Sequence, residues 1–428
     1  MALPDLKVEL GLDFTDAGGD FFTLDDASQG VLDNTEFTLA GLLYYDVTDR
    51  VRSFQISRGK PRRFSTFPAG GAGIRFNNHD RAFDPLYADS PFAGQIVPRR
   101  EVRVTAGNDI QYTGFIEDWN LSYTLDGDSV ADAVASDVTS FFAKQTLPAG
   151  TPVQELTGTR INDVLDSPEV NWDADKRDID PGQIELGTQE INANTVALSY
   201  MQKIAETEQA LLFVDKQGRI AYKTGTGYTQ GQPVTVFNQS NGIHYAGIQV
   251  VYGSELLYNE IVVANVGGGV ATASDLVSQA EYGIRNLSLT DLLGASDDDS
   301  VTLAVQLLDR YKEPEYRIEV LQVNLHVLEP LQQAQVLDLE IGDIARVDFT
   351  PNNVGDPIQR YVQVISVKHD VNPEAHIVRF GFQQTQIPLV LDDEAIGRLD
   401  TSVLGETNQA WTLGDPILGR LSAGMTLS

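Results

Sequence analysis

Residues 7–14 read Lys-Val-Glu-Leu-Gly-Leu-Asp-Phe, with an apolar side chain at every second position. Successive side chains of a strand point to opposite faces, so this alternation specifies a half-buried strand and excludes an amphipathic helix. The pattern returns in Arg50-Val51-Arg52-Ser53-Phe54-Gln55-Ile56 and, beyond residue 241, in HYAGIQVVYG and LLYNEIVVANVGGG. Long alternating strands are expected again at 315–328, 343–349, 361–368 and 375–383. Glycines and Asp/Asn clusters interrupt these runs at short intervals, which is the rhythm of an antiparallel sheet or barrel rather than of strand-helix-strand units.

Between about 149 and 240 the period changes. Ile161, Val164 and Leu165 follow Thr159 at helical spacing, and a longer helix is expected from Asn194 as N-cap, burying Leu198, Met201, Ile204 and Ala205. Leu211-Leu212-Phe213-Val214 and Arg219-Ile220-Ala221-Tyr222 then form a hairpin around Asp215-Lys216-Gln217-Gly218. A further helix is expected after Ser300 as cap, with Val301, Ala304, Val305 and Leu308 inward. The fold class is therefore mainly β with a small α+β unit. The domains read as a first β domain at 1–148, the α+β unit at 149–240, a second β domain at 241–385, and a C-terminal extension at 386–428.

Charge narrows the partners. Among 428 residues, 61 acidic against 30 basic ones give a formal −31, a field that opposes stable binding to nucleic acid or to an anionic membrane. The absence of cysteine removes disulfides, thiolate zinc sites and cysteine nucleophiles. MALPDLKVEL has neither the basic nor the apolar region of a signal peptide, and no run approaches the ~18 apolar residues of a membrane span, so a soluble protein made in the cytoplasm is expected.

Catalytic and metal chemistry find no convergent set of residues. The histidines at 79, 244, 326, 369 and 376 are scattered without helical zinc spacing, and His326 reads as an ordinary strand position. Counted as a calcium loop from Asp173, NWDADKRDIDPG puts Arg177 at a ligand position and Ile184 where the bidentate Glu belongs. DGDS at 126–129 and Asp297-Asp298-Asp299 read as solvated turns. PAGGAG and VGGGV lack the Lys-Ser/Thr of a phosphate loop, and no G-x-S-x-G elbow occurs. Neither enzyme activity nor a cofactor or metal is expected.

Two features ask for a partner. From Arg50 to Arg75 there are seven basic residues and no acidic one, in an otherwise acidic chain. Arg58, Lys60, Arg62 and Arg63 at its centre read as a docking surface for an acidic neighbour, with Arg99 and Arg100 beside it. The intervening stretch RFNNHDRAFDPLYADSPFAGQIVPRREVRV sets His79 between Asn78 and Asp80, an arrangement that suggests catalysis. Its turn-forming Asn and Asp residues, its prolines, and Phe83, Tyr87 and Phe92 specify instead a self-packed interface loop. The second feature is DEAIGRL at 393–399, repeated as DPILGRL at 415–421, which offers Arg398 and Arg420 as two uses of one docking mode.

The motifs YYDVTDRVRSFQISRGK, IRFNNHDRAFDPLYADSPFAGQIVPRREVRV and YTGFIEDW, in this order, closely resemble the N-terminal half of minor tail proteins of long-tailed actinobacterial phages. SYMQKIAETEQALLFVDKQGRIAYKT is similar to the helix-plus-hairpin of tail-tip hub proteins, and YNEIVVANVGGG, AEYGIRNLSL and LEIGDIARVDF resemble their second β domain. Relatives usually carry another polar residue at His79, so the resemblance lends no catalytic role to it. What the resemblance implies is a tail-tip, or baseplate, hub with two tail-tube-like β-barrel domains flanking the helix-plus-hairpin unit. Three chains would present six barrels to the tube, with the distal tail protein, tape measure and tip proteins as partners. The competing readings are a distal-tail ring protein, a receptor- or glycan-binding tail protein using Trp119, Trp172 and Trp411, and a cell-wall hydrolase with paired carboxylates.

Overall fold

The computed structural model describes residues 4–12, 43–224, 235–238 and 242–385. Its first β unit comprises β1 (Leu6–Leu12), β2 (Leu43–Asp46), β3 (Val51–Gly59), β4 (Gly71–Asn77), β5 (Glu101–Ala106), β6 (Asp109–Tyr123) and β7 (Ser129–Ser136). The α+β unit follows, with α1 (Thr157–Asp166), β8 (Arg177–Ile179), α2 (Ala197–Glu208) and the hairpin β9 (Leu211–Val214) and β10 (Ile220–Lys223). The last unit contains β11 (Thr235–Asn238), β12 (Gly247–Gly253), β13 (Glu260–Asn265), β14 (Val270–Ser274), β15 (Asn286–Leu292) and α3 (Asp297–Tyr311). It continues through β16 (Glu315–Asn324), α4 (Pro330–Asp338), β17 (Ile344–Phe349), β18 (Ile358–Asn372) and β19 (Ala375–Gln384).

The architecture is mainly β, and one sheet dominates it. Its order is β12-β16-β19-β18-β3-β4-β7-β6-β5-β1-β2, with β17 against β18 and β11 against β17. The strand alternation visible in the sequence becomes two apolar cores. One gathers Phe54, Ile56, Ile74, Phe76 and Val102 from the first unit, and the other gathers Ile318, Leu321, Val364, Val378 and Phe380 from the last. The seam between the halves is an antiparallel pairing of β3 with β18, running from Phe54 opposite Val371 to Gly59 opposite Ser366. Gly59 has φ +104°, and a Cβ there would sit 2.2 Å from the Ile365 carbonyl oxygen. Only glycine closes this corner.

The α+β unit has its own core, built from Ile161, Leu165, Met201, Ile204, Leu212 and Tyr222. Its hairpin forms as the sequence predicts, with Gly218 at φ +84° in the turn. The helix expected from Asn194 starts later. Asn194 occupies a left-handed turn at φ +65°, Val196 is the N-cap without a side-chain hydrogen bond, and Met201, Ile204 and Ala205 are buried. The cap of α3 is Ser296, whose hydroxyl accepts the Asp298 N–H, while Ser300 lies buried inside the helix. Its inward face is Ala304, Leu307 and Tyr311, so Val301 and Val305 are exposed. Asp297, Asp298 and Asp299 form the first helical turn, where carboxylates complement the helix dipole, rather than a solvated turn. His326 lies in a short 3-10 turn, Leu325–Val327, because the chain leaves β16 there to enter α4.

Candidate docking cleft

Alternation along β3 decides the fate of the basic run. Phe54, Ile56 and Arg58 share the inward face, and Arg58 is accordingly 3 % exposed. Its NH1 donates to Glu340 Oε1 at 2.8 Å, and Glu340 Oε2 accepts the Lys216 N–H at 2.9 Å. The Lys216 ammonium donates to the carbonyls of Leu337 and Asp338 at 3.1 and 2.9 Å. The chain's three units thus meet at one buried ionic joint, and Arg58 is a structural cation rather than the exposed docking residue that composition suggested.

Lys60 is also buried. Its ammonium donates to the Arg63 carbonyl at 2.6 Å and lies 5.0 Å from the centre of the Phe67 ring. Burial pushes it down to about 7, with the Arg63 charge acting in the same direction. Arg63 is partly exposed, yet its Nε is buried without a hydrogen-bond partner among the described residues. Its guanidinium packs over Tyr311 at 5.5 Å, and burial lowers it to about 10. Arg62 alone of the four is fully at the surface, where it pairs with Glu255 at 2.9 Å. Arg99 is exposed, paired with Glu117 at 2.7 Å and packed on Phe115, and Arg100 reaches back to Gln95 at 2.7 Å. Arg398 and Arg420 lie outside the described residues.

Lys60, Arg62 and Arg63 form one wall of a cleft of about 580 Å3 on the outer face of the β3-β18-β19-β16 sheet. Arg310, Arg317, Lys368 and Arg379 enter the same cleft, against Glu255, Glu315 and Glu319. Sequence reasoning missed these four cations, because they come from α3, β16, β18 and β19, strands and a helix distant in sequence. Arg317 is 5 % exposed, bonds Glu319 at 3.2 Å, and keeps a buried NH1 without a partner among the described residues. A concentration of positive charge within a strongly acidic chain is an anion-accepting surface.

In the 78–100 loop, the buried Asn78 Oδ1 accepts the Phe83 N–H at 2.9 Å, and Phe83 stacks on Phe76, Phe92 and Trp119. His79 is exposed, 3.4 Å from Asp128. Trp119 and Trp172 both pack against neighbouring aromatics, and Trp411 lies outside the described residues. A buried pair that the sequence did not announce is His369 with His376, joined Nδ1 to Nε2 at 2.9 Å across the β18-β19 hairpin. Burial drives both rings toward the neutral form, His376 down to about 4 and His369 well below its ordinary value. Among the described residues no group of three or more His, Asp or Glu is placed to hold a metal, and no helix is long and apolar enough to cross a membrane.

No protein-family model and no curated protein matches the sequence. Solved structures do match. The 43 kDa tail protein of prophage MuSo2 from Shewanella oneidensis is 12 % identical at a TM-score of 0.56, over 89 % of this chain and 98 % of that one. A tail protein from Neisseria meningitidis MC58 is 10 % identical at a TM-score of 0.55, over 81 % and 95 %. Prophage tail protein gp18 from Listeria monocytogenes is 12 % identical at a TM-score of 0.50, over 89 % and 96 %. The chain therefore has the fold of phage tail proteins, nearly end to end.

Proposed function

We propose that the chain is a structural component of a phage tail tip, a hub that continues or closes the tail tube and adapts its symmetry for host attachment and passage of DNA. The observation that carries this is the extent of the fold match, which takes in 98 % of the Shewanella tail protein and leaves no large part of it without a counterpart. Two β cores side by side in one sheet suit a subunit that offers two tube-like surfaces, so three copies would meet a six-fold tube. The resemblance to actinobacterial phage minor tail proteins supports reading it as a hub of a long-tailed virion, assembled in the host cytoplasm. The role is mechanical, without turnover.

Partners in this reading are two further copies of the chain, the distal tail protein, the tape measure and other tip proteins. Arg62, Arg99 and Arg100 are the surface cations for such contacts, and Arg398 and Arg420 belong to an extension that reaches a neighbour. Mass measurement on purified tail tips tests it, with three copies expected. Six copies would favour a distal-tail ring, and retention of host wall glycan by the isolated chain would favour a receptor binder.

A further inference from the structure

The sheet of β13, β14 and β15 is narrower than the helix that lies on it. The Asp297 carboxylate at the start of α3 accepts the Gly269 N–H at 3.0 Å, and Lys312, just past its end, pairs with Asp275 at 3.5 Å. Gly269 and Asp275 flank β14, so α3 runs along the whole of this strand, packed against β13 and β14. Around the helix axis Ala304, Leu307 and Tyr311 face the sheet, while Leu303 and Gln306 share a cavity with Leu289 of β15 and Gln202 of α2. Val301 and Val305 take the opposite flank, 51 % and 54 % exposed, with half-buried Leu308 beside them. That flank overhangs the open side of β14, where the sheet ends.

The edge of β14 is unguarded. Val270–Ser274 has no charge and no proline, and its register with β13 runs without a bulge from Glu260 opposite Ser274 to Ala264 opposite Val270. The other outer strand, β15, is held from the side by α2, whose Lys203 ammonium donates to the Thr290 carbonyl at 2.8 Å. At β12, an edge of the main sheet, a bulge between Gln249 and Val250 interrupts the ladder. The Asp275 N–H donates to the Asn259 carbonyl at 3.1 Å, so Ala271 and Ala273, in phase with Asp275, direct their N–H and C=O groups to β13. Those of Val270, Thr272 and Ser274 point outward, and among the described residues nothing pairs with them.

We infer that β14 accepts a fourth strand, an extended segment of a different protein that is apolar at alternate positions and carries lysine or arginine at one end. Its backbone completes the ladder to Val270, Thr272 and Ser274, and the side chains of its inner face fill the space beneath Val301, Val305 and Leu308. The basic end follows from Asp298 and Asp299, which come after the Gly269-bound Asp297 in the first turn of α3 and have no cationic partner among the described residues. A second copy of the chain would bring its own −31 to that end. The inference does not rest on a role in tails and is tested on the isolated full chain, so its failure and that of the tail-tip reading are separate results.

The probe is a fluorescein-labelled peptide, Lys-Lys-Val-Thr-Val-Thr-Val, titrated with the full chain and followed by fluorescence anisotropy at about 0.15 M salt, where screening weakens long-range attraction to the net charge. Saturable binding is expected, at least tenfold tighter than that of Glu-Glu-Val-Thr-Val-Thr-Val. It should also be at least tenfold tighter than that of the lysine peptide methylated on its valine and threonine nitrogens, which cannot donate to the ladder. Thr272→Pro removes an outward N–H without touching the pairing with β13, and Val305→Asp puts a charge on the overhanging flank. Each should weaken binding at least tenfold, with circular dichroism identical to the parent, whereas Val354→Asp, at an exposed valine outside the site, should leave it unchanged. Absence of binding, equal affinity for either control peptide, or failure of either Thr272→Pro or Val305→Asp to weaken it overturns the inference.

Discussion

Replacing His376 with Gln should flatten the acid side of the stability profile. His376 is fully buried and lies near 4, against an ordinary value of 6.5. Because the folded value is depressed, the unfolded chain takes up a proton between pH 6.5 and 4 that the folded chain refuses. The resulting stability is present above pH 6.5 and is lost as pH falls toward 4. At 1.36 kcal/mol per pH unit the whole window is worth about 3 kcal/mol, of which roughly 2 kcal/mol is spent by pH 5. Glutamine keeps an amide where Nε2 meets His369 and removes the titration. Urea unfolding followed by tryptophan fluorescence at pH 7, 6 and 5 gives the parent and variant free energies. The carboxylates common to both proteins cancel in the difference. The parent should lose about 2 kcal/mol more than His376→Gln over this range, and His369, depressed mainly by its own burial, remains in both. Parallel curves, or a His376 ring found protonated by NMR at pH 6, would refute the reasoning.

The other expectations concern the same region. Arg58→Glu should destabilise the chain by about 3–5 kcal/mol, since it places a second carboxylate at a buried position against Glu340, whereas Arg62→Glu at the surface should cost about 0.5 kcal/mol or less; equal effects in chemical denaturation would contradict the assigned burial. Lys60→Met should abolish a stability gain that the parent shows as pH rises from about 7 toward 10.5, because folding disfavours the Lys60 ammonium in that window; thermal melting at pH 7 and pH 9 reads it. Phe83→Ala should cost about 3–5 kcal/mol by opening the aromatic stack beneath the 78–100 loop, and a loss below 1 kcal/mol would mean that the loop is not held by its own packing.

Strands were legible wherever alternation was uninterrupted, as in β3, β16 and β19, and so was the helix-plus-hairpin of the middle unit. The helix α3 shows where the pattern fails. Val301, Leu303, Ala304, Val305, Leu307 and Leu308 surround most of its circumference, so periodicity alone cannot choose the buried face. Packing against β13 and β14 chooses it. Arg58 was legible in principle, being in phase with Phe54 and Ile56, but the density of basic residues around it drew attention to charge rather than to register. The histidine pair and the four added cations of the cleft require strand neighbours that no local pattern specifies. His369 meets His376 only because the hairpin register places Val371 opposite His376.

The seam between β3 and β18 has a consequence for synthesis. Arg58 and its register partner Val367 are separated by about 300 residues. At a translation rate of roughly 5–20 residues per second, the hydrogen-bonding edge of β3 emerges about 15–60 s before the strand that will cover it. During that interval the nascent chain carries an unsatisfied strand edge, the surface on which chains most readily pair with the wrong partner. The lysine and arginines at 58–63 sit on and beside that edge, and their mutual repulsion between nascent chains on one message would keep neighbouring edges apart until β18 arrives.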